Sequence, residues 1–279
     1  MVKNVPQLVG KQEKVDRETM ASPRILIVRA PGTNCDRETS FAFEQAGGKP
    51  DLVHINRILE KPQLTKDYQI LCMPGGFCYG DDIAAGRILA SQIRHHLYDT
   101  INDFKSDGKL ILGICNGFQV LIKSGVLLVE SVANETPATL TWNDSGRFED
   151  RWVHLQVDGQ KCVFLQDVSA LYLPIAHAEG KFVTRTPTVF QQLEENQQLP
   201  LRYTTAAGLR NGQLEYPLNP NGSMGNVAGA CDETGRVLGL MPHPERHIDP
   251  THHPRWTREG LQEQGDGCVV FHNAVQYFA

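Results

Sequence analysis

The sequence predicts an α/β fold: a mostly parallel central sheet flanked by helices, with antiparallel strands added in its second half. Three observations predict it. Short apolar runs alternate with helix-patterned segments from Arg24 to about Leu128. Two of those runs end in glycine-rich turns, at Pro74-Gly75-Gly76 and at Gly113-Ile-Cys-Asn-Gly117. After Leu128 the alternation gives way to period-two patterning, as in Arg151-Trp-Val-His-Leu-Gln-Val157. Strands buried on both faces by helical crossovers read as continuous apolar runs, and ligands then gather at the carboxyl ends of those strands.

Taken in order, Arg24–Arg29 is the first such strand. Asp36–Gly47 carries helical spacing at Phe41, Phe43 and Ala46 and stops at Gly47-Gly48. Asp51–Ile55 and Gln69–Met73 are the second and third strands. Ala84–Phe104 predicts one long amphipathic helix burying Ile88, Leu89, Ile93, Leu97, Ile101 and Phe104. Leu110–Ile114 is a strand running into a helix over Phe118–Lys123, Val237–Met241 a late strand, and Val269–Phe278 the last helix. No internal repeat or linker divides the chain. We therefore expect one domain over residues 23–279, preceded by an extension over residues 1–22.

The 279 residues suffice to bury a core of this kind. A net charge of −5 lacks the basic footprint of a nucleic-acid binder. The seven cysteines show no paired spacing, which points to a reducing, cytoplasmic setting rather than a disulfide framework. There is no 18-residue apolar run for a membrane-spanning helix and no apolar stretch of secretory-signal type at the start.

Chemistry concentrates in three places. Lys109-Leu-Ile-Leu-Gly-Ile-Cys-Asn-Gly-Phe-Gln119 has the strand–turn–helix grammar of a nucleophile elbow, with Cys115 where a hydrolase carries serine. A helix N-terminus directly after the thiol favours its thiolate. A buried structural cysteine fits the same run. In Met241-Pro-His-Pro-Glu-Arg246, proline pushes His243 to extended geometry, so that His243 and Glu245 face one side. Glu245 could then fix the imidazole tautomer and leave the other nitrogen for a thiol. Paired glycines at 75 and 76 let main-chain N–H groups approach a ligand, and with the N–H of Asn116 they could hold an oxyanion.

The chain resembles the class I (triad-type) glutamine amidotransferases, which have a flavodoxin-like fold. Within them it is most similar to the branch that serves purine synthesis. The resemblance rests on Pro31-Gly-Thr-Asn-Cys-Asp36, Pro74-Gly-Gly-Phe-Cys-Tyr-Gly-Asp81, Gly113-Ile-Cys-Asn-Gly-Phe-Gln119, Ile175-Ala-His-Ala-Glu-Gly180, Asn221-Gly-Ser223 and Met241–Arg246, in family order. It implies a Cys115–His243–Glu245 triad that splits glutamine. It also implies a substrate contact at Gln119 and a pocket wall at His177 and Glu179. The ammonia would pass to formylglycinamide ribonucleotide on a separate synthetase subunit that uses ATP and Mg, often beside a small third subunit. No cofactor is implied in this chain.

Thr136–Asp150 departs from the pattern of compact subunits and is similar, through Gly146-Arg-Phe-Glu149, to the amidotransferase domain of a large single-chain enzyme. An amidotransferase of another pathway, a different elbow-cysteine hydrolase and a non-catalytic interaction subunit are the competing readings. The retained His243 and Glu245 argue against the last two. His247, Asp249, His252 and His253 lack zinc-site spacing and read as solvated surface. The chain has no phosphate-binding G-x-x-x-x-G-K-[ST] run. Tyr79–Arg87 could close over the site or meet a partner, and could also be a helix-capping connection through Asp81 or Asp82; the two readings are compatible.

Overall fold

In the computed structural model, residues 22–128, 136–208 and 212–279 are described. The expected extension lies, but for its last residue, outside the described residues. The strands are β1 (Arg24–Arg29), β2 (Lys49–His54), β3 (Ile70–Met73), β4 (Leu110–Ile114), β5 (Ala138–Thr141), β6 (Glu149–Val157), β7 (Ala170–His177), β8 (Lys181–Thr184), β9 (Leu201–Thr204), β10 (Val227–Cys231) and β11 (Val237–Leu240).

Nine of them form one sheet in the order β2-β1-β3-β4-β11-β10-β9-β6-β7, and β5 and β8 pair separately. The neighbours from β2 to β11 are parallel, and the neighbours from β11 to β7 antiparallel. This is the mixed sheet the patterning predicts. In the parallel half β3, β4 and β11 are buried at every residue, as is β10 next to them in the antiparallel half. The alternating β6 and β7 lie in the antiparallel half.

Helical boundaries show where local chemistry overrides periodicity. The helix expected over Ala84–Phe104 begins only at Arg87, because Gly86 is left-handed (φ 70°) and Asp82–Ala84 close a turn before it. It then passes through a π-helical turn at Ile93–Leu97 and continues as Tyr98–Ser106. The extra residue of that turn keeps Leu89, Ile93, Leu97, Ile101 and Phe104 in the core, while Ile88 is half-buried. The helix Asp36–Gln45 buries Phe43 but leaves Phe41 exposed.

The elbow depends on small residues. A Cβ on Gly117 would lie 1.8 Å from the Met73 carbonyl oxygen, and one on Gly113 would lie 2.7 Å from that of Gly117. The helix Asn116–Ser124 can therefore sit directly on β3 and β4 only with glycine at both places. Phe118, Val120, Leu121 and Ile122 are fully buried there. Removing a core phenylalanine of this kind costs about 3–5 kcal/mol, so the helix after Cys115 is firmly seated.

Candidate active site

Cys115 stands between β4 and its helix at φ 51°, ψ −104°, a conformation that L residues rarely adopt and that an elbow stores as strain. Its N–H donates to the Leu240 carbonyl at 2.8 Å, which ties the elbow to β11. Its thiol leans on the Ala176 carbonyl at 3.6 Å. The same β11 ends in the segment that carries His243. The His243 N–H donates to the Pro174 carbonyl of β7 at 2.8 Å, so the imidazole is held between the two halves of the sheet.

His243 is extended (φ −105°, ψ 90°), as the following proline requires. Pro244–Arg246, however, is a single 3₁₀ turn and not the extended segment the spacing suggested. The turn still delivers the carboxylate: His243 Nδ1 and Glu245 Oε1 are 2.6 Å apart. Both residues are buried, at 1% and 3% exposure. His243 Nε2 has no hydrogen-bond partner and is the nitrogen left for a thiol. Burial opposes charge on this imidazole, but the Glu245 carboxylate and the thiols of Cys115 and Cys35 outweigh it and hold the pKa well above the usual histidine range.

The glycines after β3 adopt a defined orientation. The Cys35 N–H donates to the Gly75 carbonyl at 3.2 Å, and the Phe77 N–H to the Gly32 carbonyl at 3.0 Å. In a trans peptide the C=O and N–H point opposite ways. With the Gly75 carbonyl aimed at the β1 side, the Gly76 N–H is aimed at the β4 side, where Cys115 lies. The first turn of the helix after Cys115 adds N–H groups that have no intrahelical acceptor, among them that of Asn116. This arrangement can hold a negative oxygen above the thiol.

The side chains expected to meet substrate divide into two groups. Asn116 and Gln119 are buried in an internal network. The Cys78 N–H donates to Asn116 Oδ1 at 3.1 Å, and Asn116 Nδ2 donates to Asp81 Oδ1 at 3.0 Å and to Gln119 Oε1 at 2.8 Å. Gln119 Nε2 in turn donates to the Glu179 carbonyl at 2.6 Å. Both ends of the Gln119 amide are therefore occupied by the protein. Glu179 accepts from the Ala85 N–H at 3.2 Å and pairs with Lys123 at 3.5 Å, so its carboxylate braces the loop after the glycines. Asp81 accepts from the Gly86 N–H at 3.3 Å, which ties the loop to the residue just before the long helix, whose own first-turn N–H groups have no side-chain cap.

His177 is buried on β7, with Nδ1 at 3.2 Å from Asn143 Oδ1 and Nε2 unpartnered. Burial, with His243 nearby, pushes its pKa down to about 3, so it stays neutral. A cavity of about 800 Å³ lies beyond Asn143, lined by Asp144, Lys181, Tyr216, Asn219 and Met224. None of the triad residues lines it. His247 and His253 are buried against Trp152 and Tyr172, not solvated as their composition suggested, whereas His252 and Asp249 are exposed.

Two contributors escaped residue-by-residue reading. Cys35 lies in the quoted Pro31–Asp36 motif, yet its thiol meets His243. Asn143 holds both the His177 ring and the Gly180 N–H. Cys35, His243 and Glu245 present donor atoms within 4.8 Å of one another, a set capable of ligating a soft divalent ion. Arg246 Nη2, at 3.2 Å from the same sulfur, sets a positive charge against such an ion.

A mixed sheet with a strained elbow cysteine and a buried His–Glu pair at the strand ends of its parallel half defines a class, that of the glutamine amidotransferases. The chain belongs to it: residues 22–278 match the CobB/CobQ-like glutamine amidotransferase domain family. It is 49% identical over 259 residues to the phosphoribosylformylglycinamidine synthase subunit PurQ of Dehalococcoides mccartyi, covering 92% of this chain and 98% of that one. It is 41% identical over 268 residues to the PurQ subunit of Methanococcus maripaludis, covering 92% and 97%. Among solved structures, a chain of the Thermotoga maritima PurLQS structure matches with a TM-score of 0.67 at 30% identity, covering 92% of this chain and all of that one.

Proposed function

We propose that this chain is the glutaminase subunit of a phosphoribosylformylglycinamidine synthase. It would release ammonia from glutamine for a PurL-type synthetase subunit, with a small PurS-type subunit in the same complex. The observation that carries the reading is the buried Cys115–His243–Glu245 cluster at the strand ends, in a chain 49% identical to a PurQ subunit along nearly its whole length.

Cys115 attacks the side-chain amide carbon of glutamine. The oxyanion is received by the N–H groups of Gly76 and Asn116. His243, oriented through Nδ1 by Glu245, protonates the departing ammonia and leaves a thioester on Cys115. Water, deprotonated by His243, then releases glutamate. Neutral His177 can only donate or accept a hydrogen bond in this scheme. Gln119 and Glu179 act from behind, by bracing the helix after Cys115 and the loop Asp81–Gly86. Every one of these steps is carried by side chains and main-chain amides of this chain. ATP and Mg²⁺ serve the synthetase subunit, where formylglycinamide ribonucleotide accepts the ammonia. A cytoplasmic setting is consistent with seven free cysteines among the described residues and no helix there long and apolar enough to cross a membrane.

The test is glutamate release from glutamine, with and without the synthetase subunits, ATP, Mg²⁺ and formylglycinamide ribonucleotide. Stimulation by the complete mixture that disappears in Cys115→Ala is expected. Glutamine turnover that ignores these partners would assign the chain to another amidotransferase pathway.

A further inference from the structure

We propose that Cys35 is a positioning residue for the catalytic imidazole, its thiol forming one wall of the slot that holds His243 while its main chain sets the Gly75–Gly76 peptide. The inference rests on the reading of Cys115 and His243 as the reacting pair.

Cys35 is 1% exposed, but its surroundings are not those of an inert core cysteine. Its sulfur accepts from Arg246 Nη2 at 3.2 Å and its thiol donates to Asn34 Oδ1 at 3.2 Å. Arg246 is anchored in turn by Nε on Glu38 Oε1 at 3.0 Å. A group held by a cation on one side and an amide on the other has little freedom left. A Cβ placed on Gly75 would lie 3.0 Å from Cys35 Sγ, 2.9 Å from His243 Cε1 and 3.5 Å from Cys115 Cβ. The imidazole, the Cys35 thiol, the Cβ of Cys115 and the bare face of Gly75 therefore meet around one point.

Glu245 fixes Nδ1, but one hydrogen bond leaves the ring free to swing about it. Cys35 and Gly75 remove that freedom from the Cε1 edge. The same residue donates its N–H to the Gly75 carbonyl, so one side chain and its own amide align the base and the oxyanion peptide together. Sulfur suits this role because it is bulky and polarisable, and it accepts weakly from Arg246 without pulling the imidazole proton away. The charged or titratable groups around His243 are Glu245, Cys115, Cys35 and His177, with Arg246 behind Cys35. Losing the sulfur removes one interaction that favours the imidazolium.

The experiment is the pH dependence of Cys115 alkylation by iodoacetamide in the full chain, assigned by peptide mass, for wild type, Cys35→Ala and Cys35→Ser. Steady-state glutaminase constants are measured in parallel with the synthetase complex. In Cys35→Ala the low-pH limb of alkylation moves upward. The rate at neutral pH falls roughly tenfold, as a misplaced catalytic group predicts, and kcat falls alongside it with KM held within about twofold. Cys35→Ser, which keeps an acceptor for Arg246, recovers most of the loss. If the alanine variant does not fold, the serine variant and Arg246→Met, which frees the sulfur, are compared with wild type in the same way. A folded variant with an unmoved alkylation profile overturns the proposal whatever the substrate. A shifted profile in a protein whose wild type never turns over glutamine upholds the role of Cys35 and overturns only the glutaminase reading.

Discussion

Gly75 and His243 exclude each other's volume: a Cβ on Gly75 would stand 2.9 Å from the imidazole Cε1. The glycine is therefore required by the ring and not by its own main chain, since it lacks the positive φ of its neighbour Gly76 (φ 144°). Gly75→Ala leaves the strand β3 intact and displaces His243 by some tenths of an ångström. Glutamine hydrolysis should fall on the order of a hundredfold with little change in melting temperature. A variant that is fully active and equally stable would show that the ring can stand elsewhere.

Glu245→Gln tests the other restraint. The amide can still take the place of the carboxylate, but it cannot stabilise an imidazolium or enforce the Nδ1–H tautomer, and losses on the order of 10²–10⁴ in kcat accompany such changes in triads. The stability effect has a definite sign. His243 is held above its unfolded value of about 6.5, so the stabilisation is fully present below that pH and is lost as pH rises through the folded pKa. The melting-temperature gap between wild type and Glu245→Gln should be widest near pH 6 and should shrink in alkaline buffer. Melts at several pH values would decide it.

The parts of the site that were legible in the sequence are those where one residue type has few alternatives. Cys115 between two glycines after an apolar run announces its turn, and His243 between two prolines with Glu245 two residues on announces their pairing, although Pro244–Arg246 makes it through a 3₁₀ turn and not an extended segment. Gln119 and Glu179 do not. Their expected contact with glutamine came from family resemblance, while the structure engages the Gln119 amide with Asn116 and the Glu179 carbonyl, and the Glu179 carboxylate with Ala85 and Lys123. Partners that lie 60 or 94 residues away leave no periodic trace. Cys35 was hidden for the same reason, as its partner Arg246 is 211 residues distant. The burial of His247 and His253 depends on Trp152 and Tyr172 from strands far upstream, which composition alone does not reveal.

The bracing role of Glu179 predicts an effect on substrate affinity before an effect on chemistry. Glu179→Ala leaves the Ala85 N–H without its acceptor and removes the counter-charge of Lys123, whose ammonium keeps only the Ala85 carbonyl at 2.6 Å. Unpaired buried groups of this kind cost about 1–3 kcal/mol. The loop Asp81–Gly86 holds left-handed residues at Asp81, Ile83 and Gly86 and should loosen first. Faster amide exchange at Ala85 and a several-fold rise in KM for glutamine, with kcat largely kept, are the expected results. A loss confined to kcat would place Glu179 in the chemistry instead.

His177 gives the opposite pH signature from His243. Its pKa is pushed down to about 3 by burial, against an unfolded value of about 6.5. Between those values the unfolded chain takes up a proton that the folded chain refuses, so native stability must fall as the solution is acidified below about pH 6.5. His177→Asn removes this proton uptake and keeps a side-chain amide within reach of Asn143. At neutral pH the variant should be less stable than wild type, because the ring fills buried space against Gly180. As pH falls toward 4 the difference should narrow, because only the wild type carries the histidine penalty. Urea denaturation across that range measures it directly. A gap that stays constant with pH would mean that His177 takes up its proton as readily in the folded protein as in the unfolded chain, and it would then be a candidate proton donor beside His243.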